Sequence, residues 1–344
     1  MNRTQKAVRR YERRSFLKAL ALGAAAGAGW VPDTLSAEPP PEITRLRLAK
    51  AFSLCTSPLY VAHELLLAEG FKEVEYFGDG ETATGMPGAR AMGAGQVDIS
   101  LNFAAPLVLA LDADFPIVLL AGVHSGCFEL FATDRVRSIG DLKGKTVAIS
   151  SRDSIQHVFL AAITASVGIN PEKDINWSIQ PRAEAKKLLA EGRIDAYLAF
   201  PPDPQELRAK RIGKVILTSA LDRPWSQYFC CMVAANRQFS SKYPVATRRA
   251  LRAILKASDI CASDPTRALA AYVKLAYPAN AEFARQAISE VPYRTWREFN
   301  PEETMRFYAL RLREAGMVKS APQKLIAQGT DWRFLNALKK ELKV

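Results

Sequence analysis

Hydroxyl, amide and cationic residues recur along this chain just after short apolar runs, a placement that suits capture of an anion or a polar group. The densest case is Ser150-Ser151-Arg152-Asp153-Ser154. Before it, Thr146-Val-Ala-Ile149 reads as a buried strand. After it, Phe159, Leu160, Ile163 and Val167 recur at helical spacing from Val158 onward, and Gly168 closes the helix as a C′ residue would. A helix starting in such a loop aims backbone N–H groups and partial positive charge at it. Arg152 adds a guanidinium suited to carboxylate or sulfonate. Taken alone, an ordinary N-cap accounts for the stretch, and a salt-bridged Arg152 is an equally good reading of the arginine.

The same pattern of apolar run, polar loop and helix repeats elsewhere. Ser53, Thr56 and Ser57 follow a strand at Leu46–Phe52, and Thr82 and Thr84 follow Val74–Phe77. Asn102 and Phe103 follow Val97–Leu101, His124 follows Pro116–Val123, and Phe200 ends Ala196–Phe200. Tyr228–Ala234 reads as one more strand, and from Ser241 the chain reads as helix. This alternation predicts an α/β fold with mainly parallel sheets and crossover helices. Ligands in such sheets sit beyond the carboxyl ends of the strands, where these loops meet. The candidate ligand contacts are therefore Ser53, Thr56, Ser57, Thr82, Thr84, Asn102, Phe103, His124, Ser150, Ser151, Arg152, Ser154 and Phe200.

Sharper chemistries fit less well. Gly78-Asp-Gly-Glu-Thr-Ala83 matches a dinucleotide fingerprint, but the acidic partner it needs at the end of the next strand is missing, since Asp98 lies at that strand's start. Ser154 and His157 lack the G-x-S-x-G setting, and His63-Glu64 is followed by three leucines rather than a second histidine. Five cysteines form no C-x-x-C, and adjacent Cys230-Cys231 is an awkward metal pair. No catalytic group, metal or cofactor is expected.

With 344 residues, 49% hydrophobic and 24% charged, the chain has room for two globular lobes. Its formal charge of +12 is concentrated partly in the first 37 residues, and the remaining lysines and arginines are spread over helices without an RNA-reading aromatic pattern. Nucleic acid is not an expected partner. Glu12-Arg13-Arg14-Ser15-Phe16-Leu17-Lys18 ahead of the weakly apolar Ala19–Ala28 resembles a twin-arginine export signal, with cleavage expected after Ala37. That run is too short to span a bilayer. The expected destination is the periplasm.

Five segments, in order, resemble the solute-binding proteins of ABC importers for nitrate, sulfonate, taurine and thiamin precursors. They are Ser57-Pro-Leu-Tyr-Val-Ala62, Met92-Gly-Ala-Gly-Gln-Val-Asp-Ile99, Ile139-Gly-Asp-Leu-Lys-Gly-Lys-Thr-Val-Ala148, the Ser150–His157 stretch, and Leu189-Ala-Glu-Gly-Arg-Ile-Asp-Ala196. The resemblance implies a periplasmic-binding-protein fold of two α/β lobes closing on a ligand held between them. It places residues 43–127 and 237–344 in one lobe and 128–236 in the other, with crossings near Phe128–Asp134 and Tyr228–Asn236. It also implies a small, anionic ligand, a monomer, and an ABC permease and ATPase as partners. The chain departs from the thiamin-precursor synthases, whose cysteine-rich motif has no counterpart here. Pro201-Pro202-Asp203-Pro204 replaces the aromatic-acidic segment common in nitrate and sulfonate binders. An enzyme on the same fold and a ligand-binding sensor accessory stay open as alternatives.

Overall fold

Fully buried Leu46 and Leu48 alternate with more exposed Arg45 and Arg47, and this period of two makes β1 (Arg45–Ala49) a strand with one face turned inward. The computed structural model describes residues 38–343, so the expected export signal lies outside them. Further strands are β2 (Glu73–Phe77), β3 (Ile99–Phe103), β4 (Ile117–Ser125), β5 (Glu129–Ala132), β6 (Thr146–Ile149), β7 (Asn176–Ile179), β8 (Ala196–Ala199), β9 (Lys214–Thr218) and β10 (Phe229–Asn236). They form two five-stranded sheets, ordered β2-β1-β3-β10-β4 and β7-β6-β8-β5-β9.

The two sheets share one plan. In each, the second, first and third strands of its own run lie side by side in parallel, and one antiparallel strand separates the third from the fourth. That antiparallel strand is always the one arriving from the other sheet: β5 follows β4, and β10 follows β9. The chain therefore crosses at Gly126–Phe128 and between Ser219 and Tyr228. Two expectations shift accordingly. Glu129–Ala132 is a strand of the second sheet rather than a crossing, and Phe229–Asn236 belongs to the first sheet, not to the second lobe's closing segment. Every residue of both strands is buried, so neither shows the alternation that would have assigned it a face.

The crossings lie against each other. Ser219 Oγ accepts from the Cys127 and Phe128 N–H groups at 3.1 and 2.9 Å, and Ser219 N–H donates to Phe128 O at 2.9 Å. Gly126 has φ +22°, and a Cβ there would lie 2.2 Å from the Ala220 Cα, so only glycine permits this approach.

Helices cover the sheets: α1 (Pro58–Ala68), α2 (Gly85–Gly93) and α3 (Ala104–Asp112) on the first, α4 (Ile155–Ala165), α5 (Arg182–Ala190) and α6 (Asp203–Ala209) on the second. Seven more follow β10: α7 (Arg237–Lys242), α8 (Pro244–Ser263), α9 (Pro265–Leu275), α10 (Ala281–Glu290), α11 (Pro301–Glu314), α12 (Pro322–Gly329) and α13 (Arg333–Glu341). Helix α4 begins three residues before Val158. Gly168, at φ +81°, ends the segment, and Ile169 N–H reaches back to Thr164 O at 3.1 Å.

One hydrophobic core runs from the first sheet into the second. At its middle, Phe128 packs against Phe103 at 5.1 Å and Phe159 at 5.0 Å between ring centres, with Phe200 at 6.2 Å. A smaller core of Phe131, Leu188, Leu189, Tyr197 and Leu207 packs around the second sheet with α5 and α6.

Candidate ligand site

The N-termini of α2 and α4 meet. Gly85 opens α2 at φ +60°, and a Cβ on it would stand 3.2 Å from the Ile155 side chain at the start of α4. Asn102 pins this contact: its Oδ1 accepts from Gly85 N–H at 2.8 Å and Phe103 N–H at 2.8 Å, while Nδ2 donates to Gly85 O at 3.0 Å. Ser154 caps α4 by accepting from His157 N–H at 3.3 Å. A cavity of about 130 Å³ lies between these ends, lined by Thr82, Thr84, Pro87, Ser150, Ser151, Ser154, Ile155 and Gln156. At ~30 Å³ per water in the liquid, this volume suits an occupant of a few heavy atoms.

Gln156 is the polar residue there whose bonding is incomplete. It is 1% exposed, its Oε1 accepts from Ser150 Oγ at 3.3 Å, and its Nε2 has no partner. A buried amide donor without a partner costs about 1–3 kcal/mol. Hydroxyls and two helix N-termini together favour negative charge in the cavity.

Five of the sequence-selected residues, Thr82, Thr84, Ser150, Ser151 and Ser154, thus line one cavity, and Asn102 shapes it from behind. Others are placed elsewhere. Ser53, Thr56 and Ser57 are fully buried, and the Thr56 and Ser57 hydroxyls donate at 2.6 Å to Ser53 O and Leu54 O of their own turn. Phe103 and Phe200 sit in the ring cluster. Arg152 turns outward to Glu172, Nη1 to Oε2 3.1 Å. His124 is buried beside cysteines. The sequence reading missed Gln156, whose signal is its place in the first turn of α4.

Two larger grooves are also present, one of them adjoining the cavity. One of about 920 Å³ shares Thr82 and Pro87 with it and carries Arg47, Arg90 and Arg152. The other, about 730 Å³, is lined by Phe52, Arg182, Lys186, Asp203, Tyr272 and Tyr277 among others. There Arg182 lies 4.6 Å from the ring centres of both Phe52 and Phe200. Asp203 holds it, accepting from Arg182 Nη2 at 2.9 Å, Lys186 Nζ at 3.1 Å and Tyr197 Oη at 2.8 Å.

The geometry also disposes of two motifs. Ser154 Oγ bonds the backbone of His157 rather than its ring, whose Nδ1 accepts from Asp153 N–H at 3.2 Å, so the pair has no nucleophile–base bond. Burial and Arg152 lower the His157 pKa from its usual value. In the glycine loop, Gly80 N–H donates to Tyr277 Oη at 2.7 Å and Tyr277 donates to Asp79 Oδ1 at 3.0 Å, which uses groups a pyrophosphate would need.

A model of the NMT1-like family matches residues 40–276. The chain belongs to the NMT1-like family. Solved structures show where this NMT1-like chain stands in fold space. The periplasmic nitrate-binding protein NrtA from Synechocystis PCC 6803 superposes with a TM-score of 0.72 at 13% identity, covering 89% of this chain and 91% of that one. The alkanesulfonate-binding protein SsuA from Xanthomonas axonopodis pv. citri, bound to MOPS, gives 0.67 at 16% identity over 86% and 100%. The periplasmic aliphatic sulphonate-binding protein SsuA from Escherichia coli gives 0.63 at 20% identity over 82% and 91%. These likenesses establish the periplasmic-binding-protein fold for the NMT1-like chain. A comparison with curated protein sequences gives no match.

Proposed function

We propose that this NMT1-like protein is a periplasmic solute-binding protein that holds a small anion between two lobes and delivers it to an ABC permease and its ATPase. The two sheets form the lobes, Gly126–Phe128 and the Ser219–Tyr228 stretch hinge them, and α2 and α4 bring one helix N-terminus from each. The observation that carries the reading is the convergence of two helix N-termini, one from each sheet, on a cavity lined by Thr82, Thr84, Ser150, Ser151 and Ser154. Kinship of fold with nitrate- and sulfonate-binding proteins supports an oxyanion. The protein acts by binding rather than turnover, as a monomer, after export by the twin-arginine route.

Thermal unfolding against nitrate, short alkanesulfonates, carboxylates and neutral pyrimidines tests this. A true ligand at 100 times its Kd adds about 2.7 kcal/mol of stability and raises Tm. Stabilisation by an anion at micromolar concentration is the expected result. A response to neutral pyrimidines alone would overturn the anionic assignment.

A further inference from the structure

Four of the five cysteines and one histidine converge where the two crossings meet. Cys55 lies in the 3₁₀ turn after β1, His124 near the end of β4, Cys127 in the first crossing, and Cys230 and Cys231 at the start of β10 just beyond the second. Sulfur separations are 3.2 Å for Cys127–Cys230, 3.9 Å for Cys55–Cys231 and 4.0 Å for Cys230–Cys231. Donor atoms of Cys55, His124 and Cys127 lie within 4.8 Å of one another, as do those of His124, Cys230 and Cys231.

Neighbouring residues on a regular strand point to opposite faces, which is why Cys230-Cys231 is an awkward metal pair in sequence. Here β10 breaks register against β4 between Phe229 and Cys231 and again between Cys231 and Met232. This irregularity re-aims the side chains and brings both sulfurs to one side.

His124 supplies an independent observation. It is fully buried, its Nδ1 donates to Ser125 O at 3.0 Å, and its Nε2 has no partner. With the proton on Nδ1, Nε2 presents a lone pair, the arrangement of a metal-binding imidazole held by a backbone carbonyl. Tyr293 steadies the set: its ring packs edge-on against His124 at 5.5 Å, and its hydroxyl donates to Leu54 O at 3.0 Å in the turn carrying Cys55.

We propose that Cys127, Cys230, Cys231 and His124, with Cys55 packed beside them, form a four-donor site for one thiophilic cation of the Zn²⁺ type. Zinc–sulfur bonds of about 2.3 Å in a tetrahedron place two sulfurs about 3.8 Å apart, so the 4.0 Å Cys230–Cys231 separation fits as it stands and the 3.2 Å Cys127–Cys230 pair opens by about 0.6 Å on binding. Thiolate and imidazole donors without oxygen select a soft or borderline ion over Mg²⁺ or Ca²⁺. Three thiols release their protons to solvent on binding, and the three thiolates with neutral His124 leave the Zn²⁺ site with a net charge of −1. Access runs through a cavity of about 210 Å³ beside Cys127, lined also by Glu129, Arg208 and Glu290. Because the donors come from both crossings, the bound ion ties the hinge.

The test uses the mature chain, reduced, stripped of metal and titrated anaerobically with Co²⁺. One equivalent should bind with thiolate-to-cobalt charge-transfer absorption and tetrahedral d–d bands, and Zn²⁺ should displace it. Cys127→Ser, Cys230→Ser and His124→Gln should each weaken binding about 100-fold or more, whereas Cys261→Ser, buried outside the cluster, should leave it unchanged. Zn²⁺ should raise the Tm of wild type and Cys261→Ser but not of Cys230→Ser. Circular dichroism establishes that each variant is folded before titration. Reduced wild-type protein that gives no thiolate–cobalt absorption overturns the proposal. So does equal affinity in folded Cys127→Ser and Cys230→Ser. Neither result bears on anion binding at the α2–α4 cavity, which thermal unfolding reads separately.

Discussion

At the scale of single residues, Gln156 separates a structural role from a binding one. Gln156→Leu removes an unpaired buried Nε2 and gives up one long bond, Ser150 Oγ to Oε1 at 3.3 Å, so stability should change by less than about 1 kcal/mol. The same change should weaken anion binding by about 0.5–1.5 kcal/mol, roughly three- to tenfold, as read by calorimetric titration with the anion that passes the thermal screen. Equal affinity would move the site elsewhere. Ser154 differs because it also caps α4, and its loss costs stability and binding together. His157 adds a pH effect. It is 2% exposed and its pKa is lowered by burial and by Arg152, so the unfolded chain binds this proton more readily than the native one. Its contribution is present above the unfolded histidine pKa of about 6.5 and is lost as pH falls through the lowered native value. Tm measured from pH 7.5 to 5 should therefore fall less steeply in His157→Gln than in wild type. Parallel curves would show that His157 is not the group responsible.

At the scale of elements, the polar network between α5 and α6 fixes one wall of the larger groove. Asp203 is 2% exposed and accepts from Arg182, Lys186 and Tyr197 at once. Asp203→Ala leaves a cation over Phe52 and Phe200 without its counter-charge. The loss for breaking a buried pair is about 3–5 kcal/mol, and the lower end applies because the Arg182 and Lys186 side chains keep 23% and 20% of their surface exposed. Urea unfolding should show it as a lower midpoint with unchanged slope. A loss under about 1 kcal/mol would mean water replaces the carboxylate without penalty. The crossings work at the same scale: Ser219 pairs with both residues after Gly126, which ties the two segments together.

At the scale of the molecule, the proposed mechanism is lobe closure. Because the cavity takes its walls from loops of both sheets, a ligand bound there would draw the lobes together. Small-angle scattering at a saturating concentration of a verified anion should show a smaller radius of gyration than without it. An unchanged radius would count against a closing cleft. Export belongs here too. Arg13-Arg14→Lys-Lys should block translocation while leaving the fold of the mature chain intact, because the pair is read by a receptor. Periplasmic recovery of that variant at normal yield would remove the export proposal.

By itself the sequence determined the α/β alternation and the strand at Thr146–Ile149, because apolar period and helix capping are local properties written in consecutive residues, while the two-lobed fold was implied by the resemblance of five ordered motifs. It also marked Thr82, Thr84, Ser150, Ser151 and Ser154, since each hydroxyl follows an apolar run. The tertiary structure alone decided which hydroxyls face a cavity and which close their own turns, as Thr56 and Ser57 do. It alone showed that β5 and β10 exchange sheets, because strands buried on both faces carry no period. And it alone gathered Cys55, His124, Cys127, Cys230 and Cys231, whose separation by up to 176 positions leaves no spacing to read. Contacts between distant segments are set by packing, and packing is a property of the folded whole.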